Sequence, residues 1–78
     1  MPKAYVLINV ELGTEEEVLR ELRSDSRIKE AYFVYGPYDL IAKIEIESID
    51  RIKEIVNFKI RKLNNVRSTQ TMTVVEGI

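Results

Sequence analysis

From about Lys3 to Glu11 the chain alternates between two largely apolar sets, Val6, Ile8 and Val10 pointing one way and Tyr5, Leu7 and Asn9 the other. This pattern predicts a central strand covered on both faces. Leu12-Gly13 breaks it, and Thr14-Glu15-Glu16-Glu17 then reads as a capping box, in which Thr14 accepts from the backbone and Glu17 reaches back. The three acids suit the positive end of a helix whose narrow apolar stripe is Val18, Leu19 and Leu22, ended by Ser24-Asp25-Ser26. A second strand, rich in aromatic and β-branched residues, is expected from about Ile28 to Tyr35. The third runs from Asp39 to about Glu47, with Leu40, Ala42, Ile44 and Ile46 on its core face and Ile41, Lys43 and Glu45 on the other. Ser48 is an N-cap for a second helix that aligns Ile49, Ile52, Val56, Ile60 and Leu63, leaving Phe58 on its far side as a lone exposed aromatic or a contact with another chain. Asn64-Asn65 closes it. The last strand, about Val66 to Val75, sets Arg67, Thr69, Thr71 and Thr73 on one face and Ser68, Gln70, Met72 and Val74 on the other.

Strand, helix, strand, strand, helix, strand over residues 1–78 is one α+β domain. The economical arrangement is ferredoxin-like, with a four-stranded antiparallel sheet of order 4-1-3-2 and both helices on one face. The helix-free face is then expected to carry Tyr5, Leu7, Phe33, Tyr35 and Ile41. At roughly 25 cal/mol per Å² of apolar surface, covering such a patch favours a sheet-to-sheet homodimer.

Composition narrows the chemistry. A chain of 78 residues is near the size at which a monomer struggles to bury enough apolar surface, and 45% apolar with 32% charged residues describes a folded domain. No apolar run approaches a membrane-spanning length, and the start enters a strand pattern without secretory signal features, so a cytoplasmic location is expected. There is no cysteine and no histidine, which removes disulfides, thiolate metal sites and the commonest general base. No catalytic constellation, metal or cofactor is expected. A net charge of −1 gives no electrostatic reason to expect direct nucleic-acid binding.

Between the second and third strands lies Val34-Tyr35-Gly36-Pro37-Tyr38-Asp39-Leu40, a tight turn carrying a carboxylate. Gly36 tolerates unusual backbone angles and Pro37 presets a corner. Two readings stand: turn chemistry alone, with Asp39 bonding its own local backbone, or a binding site. Asp39→Ala is expected to leave stability within about 1 kcal/mol while removing a ligand's charge partner, and loss of the fold instead would favour turn chemistry alone. The threonine row likewise reads as β-propensity on a half-exposed face or as hydroxyls available to a ligand.

Gly36-Pro37-Tyr38-Asp39 resembles the Gly-x-x-Asp turn of the Lrp/AsnC regulators, and Thr69-Gln70-Thr71 resembles their Thr-x-Thr strand. The resemblance covers essentially the whole chain but only the C-terminal, effector-binding half of a typical member, without the helix-turn-helix that contacts DNA. It implies a RAM domain that dimerises through its sheet, assembles further into rings of dimers, and binds a free amino acid or related effector between dimers. On that resemblance Gly36 lets the backbone approach the ligand, Asp39 pairs with its ammonium group, Thr69 and Thr71 offer hydroxyls, and Pro37 and Tyr38 complete the turn. Any effect on transcription then passes through another protein, such as a full-length member of the family. Rival readings are an ACT-like amino-acid-binding domain and a small α+β-barrel enzyme. An RNA-recognition module is disfavoured, since the third strand lacks a stacking aromatic.

Overall fold

The computed structural model describes residues 1–75. Its first strand, β1 (Lys3–Val10), pairs on both edges and turns Ala4, Val6, Ile8 and Val10 into the core. Around it are α1 (Glu15–Arg23), β2 (Ile28–Phe33), β3 (Leu40–Glu45), α2 (Ile49–Phe58), a 3₁₀ turn (Ile60–Lys62) and β4 (Val66–Thr73). All pairings are antiparallel and the sheet order is β2-β3-β1-β4, the ferredoxin-like order expected from the sequence, read from its other edge. Both helices cover one face: α1 packs on β2 and β3, while α2 and the 3₁₀ turn cover β1 and β4. Val18, Leu19 and Leu22 of α1 meet Leu40, Ala42 and Ile44 of β3 and Ile52, Ile55 and Val56 of α2 in a single core with no buried polar residue among those described. No helix among the described residues is long and apolar enough to cross a membrane.

Three local expectations are corrected. Thr14 makes no capping bond; with φ −106° and ψ 7° it lacks the extended backbone of an N-cap, and its hydroxyl donates instead to the Glu11 carbonyl at 2.6 Å. In α2, Ser48 caps as expected by accepting from the Arg51 amide at 3.2 Å, but Ile49 is 45% exposed and Ile55 is buried in its place. The set Ile52, Ile55 and Val56 has the i, i+3, i+4 spacing of one helix face.

The third correction concerns β2. Its register with β3 passes from Ile28↔Ile44 to Glu30↔Lys43, so Lys29 is an extra residue in a β-bulge. Alternation therefore changes sides: Ile28 and Ala31, three apart, both face the core, and Phe33 follows Ala31 to the helix side. Tyr32 takes the helix-free face, opposite Ile41. Next to the bulge, Arg23 closes the outer edge, its Nε and Nη2 donating to the Ala31 carbonyl at 3.0 and 2.7 Å while the guanidinium lies 5.9 Å from the Tyr32 ring centre. A free strand edge invites pairing with other chains, and this one is occupied by a side chain.

The turn from α1 into β2 is held by Asp25. Its Oδ1 accepts from the Arg27 amide and Nε at 2.9 Å, and Oδ2 from Nη2 at 2.6 Å. The hydrogen bond to the Arg27 side chain is the main cause that lowers the Asp25 carboxyl to about 2 from 3.8. A carboxylate whose pKa falls on folding stabilises the fold above its unfolded value and loses that contribution as pH drops through the folded value. At 1.36 kcal/mol per pH unit, reduced because Arg27 is 39% exposed, the contribution is about 1–2 kcal/mol. Asp25→Asn is expected to cost that much at neutral pH and to flatten the decline of the wild type between about pH 4 and pH 2. Urea unfolding across that range checks it, and an equal loss at pH 7 and pH 2 would refute the assignment.

Candidate functional site

The loop between β2 and β3 is shaped by what β1 lacks at its end. β3 begins at Leu40, opposite Ile8, so β1 runs on past its neighbour. The Asp39 amide donates to the Ile8 carbonyl at 3.0 Å, and the Asp39 carbonyl accepts from the Val34 amide at 3.0 Å, tying both ends of the loop together. The next donor on β1 is the Val10 amide. It reaches Oδ2 of Asp39 at 2.9 Å, so a carboxylate stands where the next strand carbonyl would be. Asp39 thus bonds a residue 29 positions away, which is neither of the roles read from the sequence. Gly36 makes the approach possible: its φ is +153°, and a Cβ built there meets nothing within 4 Å, so the demand for glycine is conformational and the surface beside it is open.

On the other edge of β1 a second bulge occurs. Asn9 pairs with Ser68 and Val10 with Val66, so Arg67 is skipped. The ends of β1, β3 and β4 and the start of α1 enclose an open cavity of about 520 Å³, lined by Asn9, Val10, Leu12, Glu15, Asp39, Arg67 and Ser68. That size falls in the range of roughly 300–1,000 Å³ usual for small-molecule sites. Asn9 Nδ2 donates to Ser68 Oγ at 3.4 Å, and Arg67 Nε lies 3.8 Å from Glu11 Oε1.

Of the residues expected at the site, Asp39 lines this cavity; Gly36 and Pro37 are exposed in the adjoining loop and Tyr38 is half-buried. Thr69 and Thr71 do not line it. They sit opposite Ile8 and Val6 on the helix side of β4, half-buried at the sheet's edge, and β1 separates them from Asp39 within one chain. Asn9, Glu15, Arg67 and Ser68 were not singled out for a site in the sequence. Their signal was topological: antiparallel pairing sets the end of β1 beside the starts of β3 and β4.

Of the expected dimer-face residues, Tyr5, Leu7 and Ile41 lie half-buried on the helix-free face, where Tyr32 and Met72 neighbour them. Phe33 is corrected to the opposite face, since the Lys29 bulge turns it toward α1, beside Leu19 and Arg23. Tyr35 lies beyond the end of β2, fully exposed in the loop.

The expectation that Asp39 is nearly neutral for stability is revised by its bond. Removing an acceptor from a part-buried amide costs about 1–3 kcal/mol. Asp39→Ala is therefore expected to lose that amount in chemical denaturation, and Asp39→Asn, which keeps a carbonyl acceptor, clearly less. Equal losses for the two variants would show that the bond does not hold the loop.

With this geometry in view, comparison with known proteins is informative. The family described as the Lrp/AsnC ligand binding domain matches residues 3–78. The regulatory protein AsnC of Escherichia coli K12 is 31% identical over 59 residues, 76% of this chain and 39% of AsnC, so the chain spans about two-fifths of the length of the curated relatives it matches. Among solved structures, FFRP-DM1 superposes with a TM-score of 0.91 at 37% identity, covering 96% of this chain and 100% of that one. A hypothetical protein from Pyrococcus horikoshii gives 0.90 at 36% identity, covering 99% and 93%. The chain belongs to the Lrp/AsnC ligand-binding domain family.

Proposed function

We propose that this chain is an effector-binding module of Lrp/AsnC type that takes a free amino acid, or a closely related small molecule, at the Gly36–Asp39 turn. One observation carries the reading: the Asp39 carboxylate, positioned by the Val10 amide through Oδ2, stands at the wall of a cavity of about 520 Å³. Its other oxygen is left to receive an ammonium group, and a charge-assisted bond of that kind is about twice as strong as a neutral one. Gly36 and Pro37 keep the loop backbone close to the ligand, with Tyr38 at its flank.

The unit of assembly in this reading is a homodimer formed by two helix-free faces, with Tyr5, Leu7 and Ile41 at its centre and Tyr32 and Met72 around them. Dimers then associate further. Because Thr69 and Thr71 lie on the outer strand, outside the cavity of their own chain, their hydroxyls serve a ligand held by a neighbouring dimer. The module acts on transcription through its assembly with other regulators, full-length family members among them, and not by touching DNA itself.

Two measurements test this. Titration calorimetry against each of the twenty common L-amino acids is expected to give saturable heat with at least one, lost in the folded Asp39→Asn variant; no heat with any would overturn the effector reading. For the dimer, Leu7→Asp would bury an unpaired carboxylate between the sheets, which is costly enough to dissociate them. Sedimentation velocity is expected to show this variant as a monomer at micromolar concentration, whereas an unchanged dimer would place the interface elsewhere.

A further inference from the structure

Among the described residues Arg67 is the one cation lining the cavity, and its position comes from the bulge that re-aims it out of the ladder. Three other arginines are committed. Arg23 is bound to the Ala31 carbonyl, Arg27 to Asp25 by two parallel bonds, and Arg51 to Glu47 and Glu54 at 3.3 Å. Among the described acids Arg67 approaches only Glu11, at 3.8 Å, too far for a hydrogen bond, and both side chains are largely exposed, at 64% and 59%. Such a pair holds its partner weakly.

Resting on the effector reading above, we infer that Arg67 is the counter-ion for the α-carboxylate of the amino acid whose ammonium Asp39 receives. Arg67 on β4 and Asp39 just before β3 flank the end of β1, about 10 Å apart at the backbone, and both line the same cavity, a gap that a long arginine side chain can span. A zwitterion held across that end has one charge on each wall. The bidentate fork of a guanidinium matches a carboxylate, and Glu11 is the weak internal ligand that the effector displaces. The remaining charged group on the lining, among the described residues, is Glu15, an acid. A second carboxylate on the ligand would face it without a cation, so the class of ligand is an α-amino acid with a neutral or basic side chain, and the α-carboxylate must be free.

The test is calorimetry on the full chain with the tightest binder among the twenty L-amino acids and with its α-amide, which keeps the ammonium and lacks the carboxylate. Wild type is expected to prefer the free acid, and L-Asp and L-Glu to bind at least tenfold more weakly than that acid. Arg67→Gln is expected to weaken the free acid by about tenfold or more, the scale of one bond between charged groups, with the amide unchanged; Arg67→Lys should recover part of the loss. If Arg67→Gln binds the free acid as wild type does while Asp39→Asn does not, the role of Arg67 is overturned and the effector reading stands. Equal weakening of acid and amide also overturns it, since the carboxylate would then not be what Arg67 recognises. Tight binding of L-Asp or L-Glu would refute the ligand class, and no heat from any amino acid with wild type would remove both readings together.

Discussion

A central strand must satisfy its backbone on two edges at once, and β1 does so along its length until both neighbours give out at the same end. β3 has not yet begun at Val10, and β4 slips past it by one residue. An orphaned, part-buried amide there would cost about 1–3 kcal/mol, a large share of what a domain of this size has to spare. The carboxylate of Asp39 removes that penalty, and the loop from Val34 to Asp39 is drawn against β1 as a consequence. Gly36, with its φ of +153°, is the residue that lets the loop close.

This constraint bears directly on chemistry. A carboxylate already fixed by a backbone bond loses little conformational freedom when a ligand arrives, which is the physical content of preorganisation. Only Oδ2 takes the Val10 amide, so the structural bond and a ligand ammonium need not compete for the same oxygen. Across β1 the situation differs. Arg67 is long, exposed and weakly held, so that exchanging Glu11 for another carboxylate would cost little. In the proposed reading one wall of the cavity is held by a backbone bond and the other is adaptable, an arrangement that would fix where an α-amino group goes while tolerating differences in the rest of the molecule.

Much of the fold was legible because β1 and β3 alternate without interruption, and the stripe on α1 matches one helix face. The turn between β2 and β3 was legible as well, since Gly36-Pro37 with Asp39 two residues on interrupts two apolar runs. What escaped the sequence were the two bulges. A bulge changes sides without changing composition, so Phe33 was expected on the helix-free face and stands on the other. The clue was present in Glu30: strict alternation from Ile28 would have turned that charge into the core, which is costly without a partner. Asp39 escaped differently. Its partner is 29 residues away, and no local pattern encodes which amide at the end of β1 will lack an acceptor.

The cavity and the helix-free face are not separate surfaces. Asn9 and Ser68 line the cavity, and by alternation from Leu7 and Gln70 they also belong to the face that carries Tyr5 and Met72. Their mutual bond, at 3.4 Å, is long enough to be remade with another partner. In the proposed assembly, a ligand in the cavity and a second sheet on the face therefore act on the same two side chains. Binding at one then changes the free energy of the other, and linkage requires the effect to be reciprocal: an effector that tightens the contact between sheets is itself bound more tightly by the assembled form. On that proposal sensing and assembly share their atoms, and the coupling would follow from the register of β1 with β4 without any relay through the core.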